Sequence, residues 1–215
     1  MENLSARSDR PVCSATLPTV AEGTEQHGAR ERLLQTAYAL FHRHTLNTVG
    51  VDRIVEEANV AKTTLYRHFP SKEDLAVSVL HLHQDVWLTD WLEQAIARSA
   101  GTAADRLLAV FDAFDEWFRR DEYQGCMFAR ALLETRDPAS PIREAAVTGL
   151  QNIRALILGL AEEARVRDPA VFALQTQLLL LGATVAAVAG ELDAAQRAQE
   201  VARAMLELEG ARLSS

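Results

Sequence analysis

The stretch VDRIVEEANVAKTTLYRHFPSKEDL, residues 51–75, decides how the rest of the chain is read. It begins with Val51, Ile54, Val55 and Ala58 on one side and Asp52, Arg53, Glu56 and Glu57 on the other, the pattern of a short amphipathic helix. Asn59 follows at once. Asparagine is one of the few residues with a side chain that accept left-handed backbone, so a tight helix-ending turn is expected there, with Val60 returning to the core. Ala61 to Phe69 reads as a second short helix. Pro70 closes it, because the residue before a proline avoids the helical region. Ser71 restarts the chain as an N-cap, and Asp74 sits three residues later as a variant of the capping box. Short helix, tight turn and short helix within about twenty residues make the helix-turn-helix plan.

The second helix of the pair carries the chemistry. Lys62, Thr63, Thr64, Tyr66, Arg67 and His68 can all donate hydrogen bonds, while Leu65 faces Ile54, Val55 and Ala58. A short rod with one apolar contact and donors towards its N-terminal end is suited to base edges in the major groove. Free N–H groups at helix N-termini attract phosphates as well. Lys72 adds a cation beside that surface. A cluster of this kind is often just a solvated helix face. Here turn, cap and core positions agree with one another, which favours the binding reading.

The charge distribution points the same way. The net charge is −8, yet residues 28–72 carry seven basic and four acidic side chains, net +3, whereas residues 73–215 are net −9 and residues 1–27 net −2. A basic segment ahead of an acidic body is the asymmetry of a module that meets an anion.

Outside this segment the chain continues as helix. Residues 1–27 show no periodicity and read as a disordered leader. From Arg30, the residues Leu33, Leu34, Ala37, Tyr38 and Phe41 recur at helical spacing up to a polar connector at His44–Thr48. Between Ser71 and Arg136 there is no proline; one long helix is expected to about Ala97, with Gly101-Thr102 as a break, and another from Ala103 to about Arg120. Further helices are expected over Cys126–Thr135, from Ile142 to Arg165, from Pro169 to about Gly190, and from an Asp193 cap to about Gly210. The fold class is therefore all-α, with nine or ten helices, a helix-turn-helix domain at about 28–73 and a bundle at about 74–212.

With 48% apolar residues, 24% charged residues, 10 glycines and 6 prolines in 215, the composition excludes collagen-like, proline-rich and generally disordered chains. Cys13 and Cys126 are too few for a disulfide framework or a cysteine zinc site, and they fit a reducing cytoplasm. The N-terminus has no apolar run long enough for a signal peptide. The most apolar stretch, Leu178 to Ala189, is about twelve residues, against about twenty for a membrane span. A cytoplasmic protein without a membrane partner is expected.

Residues 29–80, and above all Leu65-Tyr66 and His68-Phe69 followed by Ser71-Lys72-Glu73, resemble the DNA-binding domain of TetR-type (tetracycline-repressor-like) transcriptional regulators. Two positions depart from that pattern. Asn59 stands where the family often has glycine, and Gly50 stands where it usually has a hydroxyl residue, which removes one candidate cap or phosphate contact. The resemblance implies an all-helical homodimer that binds a palindromic operator in double-stranded DNA, with a C-terminal domain that dimerises and usually holds a small effector. By position it implies Lys62, Thr63, Thr64 and Arg67 near base edges, and Tyr66, His68 and Lys72 on phosphates.

In the C-terminal domain the aromatic residues concentrate at Trp87, Trp91, Phe111, Phe114, Trp117, Phe118, Met127 and Phe128. Most of such a set must be helical core. The competing reading, which the resemblance strengthens, is the wall of an apolar effector pocket. The last two helices carry apolar stripes at Leu174, Leu178, Leu181, Val185 and Val188, and at Val201, Met205 and Leu208, with small residues and the glycines at 182 and 190 allowing close approach. They read as a dimer interface, against the alternative of packing within one chain.

No catalytic set appears: there is no glycine-rich phosphate loop, no G-x-S-x-G and no H-E-x-x-H. The chain is not expected to be an enzyme or to need a cofactor. His42/His44 and His81/His83 are spaced i, i+2, which puts the members of each pair on different helical faces, so no metal is expected. Cys126 reads as packing in preference to a sensing thiol. The function indicated is sequence-specific transcriptional regulation, with repression relieved by an apolar or amphipathic small molecule. Two alternatives stay open: a DNA-binding protein with no effector, and a helical small-molecule carrier or enzyme with a vestigial DNA module. Arg67→Ala or Thr64→Ala is expected to change preference at a single base position by roughly 1–3 kcal/mol, read from binding to a panel of single-position operator variants.

Overall fold

The structure, a computed structural model, describes residues 25–209. Of the expected leader over residues 1–27, residues 1–24 lie outside the described residues, and 25–27 are not irregular but open helix α1 (Glu25–Arg43), which starts before the periodicity becomes legible at Arg30. Then come α2 (Val51–Glu57), α3 (Lys62–His68) and α4 (Lys72–His83). From α4 the backbone runs without a break through a π-helical segment, Gln84–Glu93, into α5 (Gln94–Ala97). The rest is α6 (Ala103–Phe118), α7 (Met127–Glu134), α8 (Pro141–Glu163), α9 (Pro169–Val188) and α10 (Ala194–Leu208). Counting α4 to α5 as one rod, the described residues form nine rods and no strand.

The helix-turn-helix is built as its residues dictate. Ile54 and Leu65 are wholly buried and Ala58 nearly so. Between the helices Asn59 takes φ 52°, the left-handed region. Its N–H donates to the Glu56 carbonyl at 3.1 Å, and the Val60 N–H donates to the Val55 carbonyl at 3.0 Å. That pair of bonds satisfies two of the carbonyls that a helix end leaves open. Phe69 is extended ahead of Pro70 (φ −135°, ψ 104°) and buried, so it plugs the underside of the unit. Ser71 Oγ accepts from the Asp74 N–H at 3.0 Å. The other half of the cap differs from the capping-box pattern: the Ser71 hydroxyl itself donates to Asp74 Oδ2 at 2.7 Å.

Arg165 closes α8 by the same left-handed device as Asn59, at φ 57°, and Gly190 closes α9 at φ 107°. Gly190 is thus a turn residue and not a point of close approach. The full capping box is at Thr102-Asp105, which starts α6 after Gly101. Asp193 holds the N-cap position of α10 without a side-chain capping bond; its carboxylate pairs with Arg197 at 2.8 Å.

In the body, α8 packs against α4, α6, α7 and α9, and α10 lies against both α6 and α9. A Cβ on Gly149 would come within 2.3 Å of the Phe128 ring, so only glycine there lets α7 seat this close to α8. By length and composition α9 could cross a membrane; here it packs between α8 and α10, with Thr176, Gln177 and Thr184 buried on its inner side. In the π segment, i→i+5 bonding widens the turn. Trp87, Leu88, Trp91 and Leu92 are all buried there, and the indole centroids of Trp87 and Trp91 lie 5.4 Å apart.

Asn59→Val would place a β-branched residue in the left-handed region and is expected to cost about 1–2 kcal/mol or more, whereas Asn59→Gly is expected to hold stability within about 1 kcal/mol of the parent. Urea unfolding of the two variants checks this.

Candidate nucleic-acid interface

The surface of α3 is assembled from one buried leg and a set of outward polar side chains. Leu65 anchors it. Lys62, Thr63, Tyr66 and Arg67 are exposed, and Thr64 is half-buried. Arg30 of α1 lies over the Phe69 ring, 5.1 Å from its centroid, and Arg32 Nε donates to the Ala58 carbonyl at 3.4 Å. In this way α1 braces the ends of α2 and α3.

The cations of the unit are not equally available. Arg53 pairs with Glu57 at 2.8 Å one turn along α2. Lys62 Nζ donates to Asp52 Oδ1 at 2.6 Å, and that bond holds its ammonium above the usual lysine range. Arg67 forms no ion pair among the described residues.

Two residues assigned to phosphates stand differently. Lys72 Nζ donates to the Leu46 carbonyl at 2.5 Å in a partly buried setting, and burial lowers its pKa, with Glu134 acting in the opposite sense. One of its three donors therefore ties the start of α4 to the α1–α2 connector, whose Leu46 and Val49 are buried. The His68 ring is half-buried, and its Nε2 is enclosed without a hydrogen-bond partner among the described residues. A nitrogen enclosed in this way is poorly placed for a phosphate. Tyr66 remains open.

Sequence reasoning missed the junction between this unit and the body. Arg130 on α7 donates to four carbonyls: Phe41 (2.9 Å), His42 (2.9 Å), His44 (2.8 Å) and Gln124 (3.2 Å). It caps the C-terminal end of α1, which has open carbonyls and the negative end of the helix dipole. Nearby, the Asn47 N–H and Nδ2 both reach Glu134, and Ser140 Oγ donates to Glu73 Oε1 at 2.5 Å. Behind this seam, Tyr38 OH meets His83 Nδ1 at 3.0 Å, and the His42 ring stacks on Tyr38. Burial is the main force lowering the His83 pKa, to about 3, so the ring is neutral near pH 7. The two histidines that share Tyr38 come from the two different sequence pairs. Among the described residues no group of three or more His, Cys, Asp or Glu is placed to hold a metal.

The eight residues assigned to an effector pocket are instead packed as core. Trp87, Trp91, Phe111, Phe114, Trp117, Phe118, Met127 and Phe128 are all buried, and the Trp87 indole touches Trp91, Phe114 and Trp117 edge-on or tilted. Beside them is a cavity of about 20 Å³, room for roughly one water. Only Trp87 and Phe114 of the eight line it; its other walls are Cys126, Leu150, Ile153, Gln177, Leu180, Leu181 and Thr184. Cys126 is buried, and burial pushes its thiol pKa up, which makes it a packing residue.

Of the residues assigned to a dimer interface, Leu174, Leu178, Val185, Val188, Val201 and Leu208 face outward, with Leu178, Val185 and Val188 between 60% and 70% exposed. Leu181 and Met205 are half-buried, Leu181 against the small cavity. Gly182 has open space above its Cα, so within one chain it provides no close approach. Val171 and Leu192 are further exposed apolar residues outside the expected set.

Residues 33–79 match the family model of bacterial regulatory proteins of the tetR family. The crystal structure of SCO4454, a TetR-family transcriptional regulator from Streptomyces coelicolor, superposes with a TM-score of 0.76 at 27% identity, covering 85% of this chain and 96% of that one. Residues 33–79 are a TetR-family DNA-binding segment, and the chain as a whole is similar to TetR-family regulators. Curated relatives agree along the body as well. The HTH-type transcriptional regulator YjdC of Escherichia coli (strain K12) is 28% identical over 154 residues, 71% of this chain and 80% of that protein. The HTH-type transcriptional repressor NemR of the same organism is 26% identical over 141 residues, 65% of this chain and 70% of that protein. The chain is accordingly a DNA-binding transcriptional regulator.

Lys72→Met keeps the apolar stem but removes the bond to Leu46. It is expected to lower unfolding stability by about 1–3 kcal/mol in the absence of DNA, and to leave base preference unchanged; denaturant unfolding together with a base-variant panel checks both.

Proposed function

We propose that the chain is a cytoplasmic homodimeric repressor that reads a palindromic operator and acts by binding alone, without catalysis. The observation that carries this reading is the apolar face of α9 and α10. Leu178 and Val201 line an open groove together with Gly182, Ala186, Ala194 and Ala198, and Val185 and Val188 stand exposed elsewhere on α9. Contiguous apolar surface of this kind on a folded chain marks an interaction site. Small residues along the groove floor give a second copy room to insert its own Leu and Val side chains. Such an isologous contact sets two α3 helices at a fixed separation, as two half-sites of a palindrome require. Repression as the sign of regulation draws on the resemblance and on the likeness to the repressor NemR.

Release by an apolar or amphipathic effector would run through α7. Its N-terminal Met127 and Phe128 sit in the aromatic core, and its Arg130 holds the end of α1. A ligand that wedges the core open displaces α7 and with it the cap on α1. Such a ligand acts only through its different affinity for the two arrangements. A second reading, an effector-independent regulator, is favoured by the tight packing of the aromatic cluster, because pockets for drug-sized ligands run to roughly 300–1,000 Å³ and the cavity here is about 20 Å³.

Val185→Glu is expected to convert a dimer to a monomer in sedimentation velocity, with its own fold intact, and to weaken operator binding by roughly a hundredfold or more through loss of the second half-site. A monomeric parent, or a variant that binds DNA as the parent does, would overturn the dimer reading. A thermal-shift screen of apolar and amphipathic compounds separates the two accounts of regulation: a stabilising hit that releases DNA supports the effector account, and its absence supports the effector-independent one.

A further inference from the structure

We propose that Asp52 is a specificity-determining residue, a carboxylate that restrains Lys62 and makes the protein demand the right bases before it binds. Lys62 is the first residue of α3, at the end that reaches base edges. Among the described residues its ammonium pairs with Asp52 of α2, at 2.6 Å, and both side chains are largely in solvent, 51% and 83% exposed. An acidic group therefore stands on the face that approaches a polyanion. It also sits in the first turn of α2, whose N-cap, Gly50, makes no side-chain cap bond.

The consequence follows from charge and geometry. Non-specific binding is driven by cations neutralising phosphates. In α2 and α3 two of the three Lys and Arg side chains are already neutralised within the protein, Arg53 by Glu57 and Lys62 by Asp52. A passing phosphate offers Lys62 little more than Asp52 does, and it must approach that carboxylate to do so. A guanine edge offers two acceptors, O6 and N7, without a formal charge beside Asp52. The exchange of partners is thus favoured on a base and disfavoured on bare backbone. The pair contributes little to folding, because exposed ion pairs are weak, so its influence falls on recognition.

The test uses the full-length protein, Asp52→Asn, Asp52→Glu, Lys62→Ala and the double variant Asp52→Asn/Lys62→Ala. Each is titrated by fluorescence anisotropy with a mixed-sequence 30-base-pair duplex, and with a duplex selected in vitro by the parent protein, across a salt series. Asp52→Asn is expected to bind the mixed-sequence duplex about three- to tenfold more tightly, and to gain about one unit of salt slope as Lys62 moves to a phosphate. It is expected to improve less on the selected duplex, so the ratio between the two falls. Asp52→Glu keeps the pair and the parent ratio, and the double variant loses the added slope. Unchanged affinity and slope in Asp52→Asn overturn the proposal. Weaker binding by Asp52→Asn overturns it too, since Asp52 would then be aiming Lys62 productively. An equal gain in the Lys62→Ala background also overturns it, because the effect would then be bulk charge. Equal thermal midpoints for Asp52→Asn and the parent show that the change lies in recognition and not in folding.

Discussion

Leu65 reaches the core from a seven-residue helix whose other side chains are all polar, and it does so because the chain reverses sharply at Asn59. That single apolar contact with Ile54 and Ala58 fixes which side of α3 looks outward. A helix this short has no independent stability. Its orientation depends on the reversal, on Leu65, and on Phe69 closing the far end ahead of Pro70. Everything that the interface can do is set by this constraint: Lys62, Thr63, Tyr66 and Arg67 are presented because Leu65 is hidden.

The DNA-binding unit is joined to the body by two kinds of contact with different mechanical character. The continuous rod from α4 through the π segment to α5 is covalent and apolar, buried on Trp87 and Trp91. The seam at α7 is polar: Arg130 on the carbonyls that end α1, Glu134 on Asn47, and Ser140 on Glu73. Hydrogen bonds to a charged group are worth about 1.5–3 kcal/mol each at most, and they break over short distances. The rod therefore carries the unit, and the seam sets its angle.

The helix-turn-helix was almost fully legible because its determinants are local: a left-handed residue, a proline stop, a cap, and apolar residues at fixed offsets. Helix boundaries in the body were legible for the same reason at Gly101-Thr102, Pro141 and Pro169. Arg165 was not, since nothing in an arginine announces a positive φ. The Arg130 seam joins residues 86 to 89 positions apart, and pattern reading has no access to such pairs. The aromatic cluster illustrates a different limit. Composition identifies rings that will be buried but not whether they enclose space, and here they fill it. Lys72 and His68 show the same limit at the interface, where residue type suited a phosphate but packing drew the atoms inward.

The outward apolar face of α9 and α10 and the outward polar face of α3 lie on one body, and each makes sense of the other. A single α3 presents too few contacts for selective binding, and an apolar face with no partner is a liability in water. Paired recognition requires the polar face of α3 to meet a duplex twice, once from each copy. Hydroxyl-radical footprinting of the full-length protein on the DNA upstream of its own gene, at low ionic strength, tests that most directly. The result predicted is two protected patches related by dyad symmetry, one helical turn or a small multiple of it apart. Protection of one isolated patch, or of none, would contradict it.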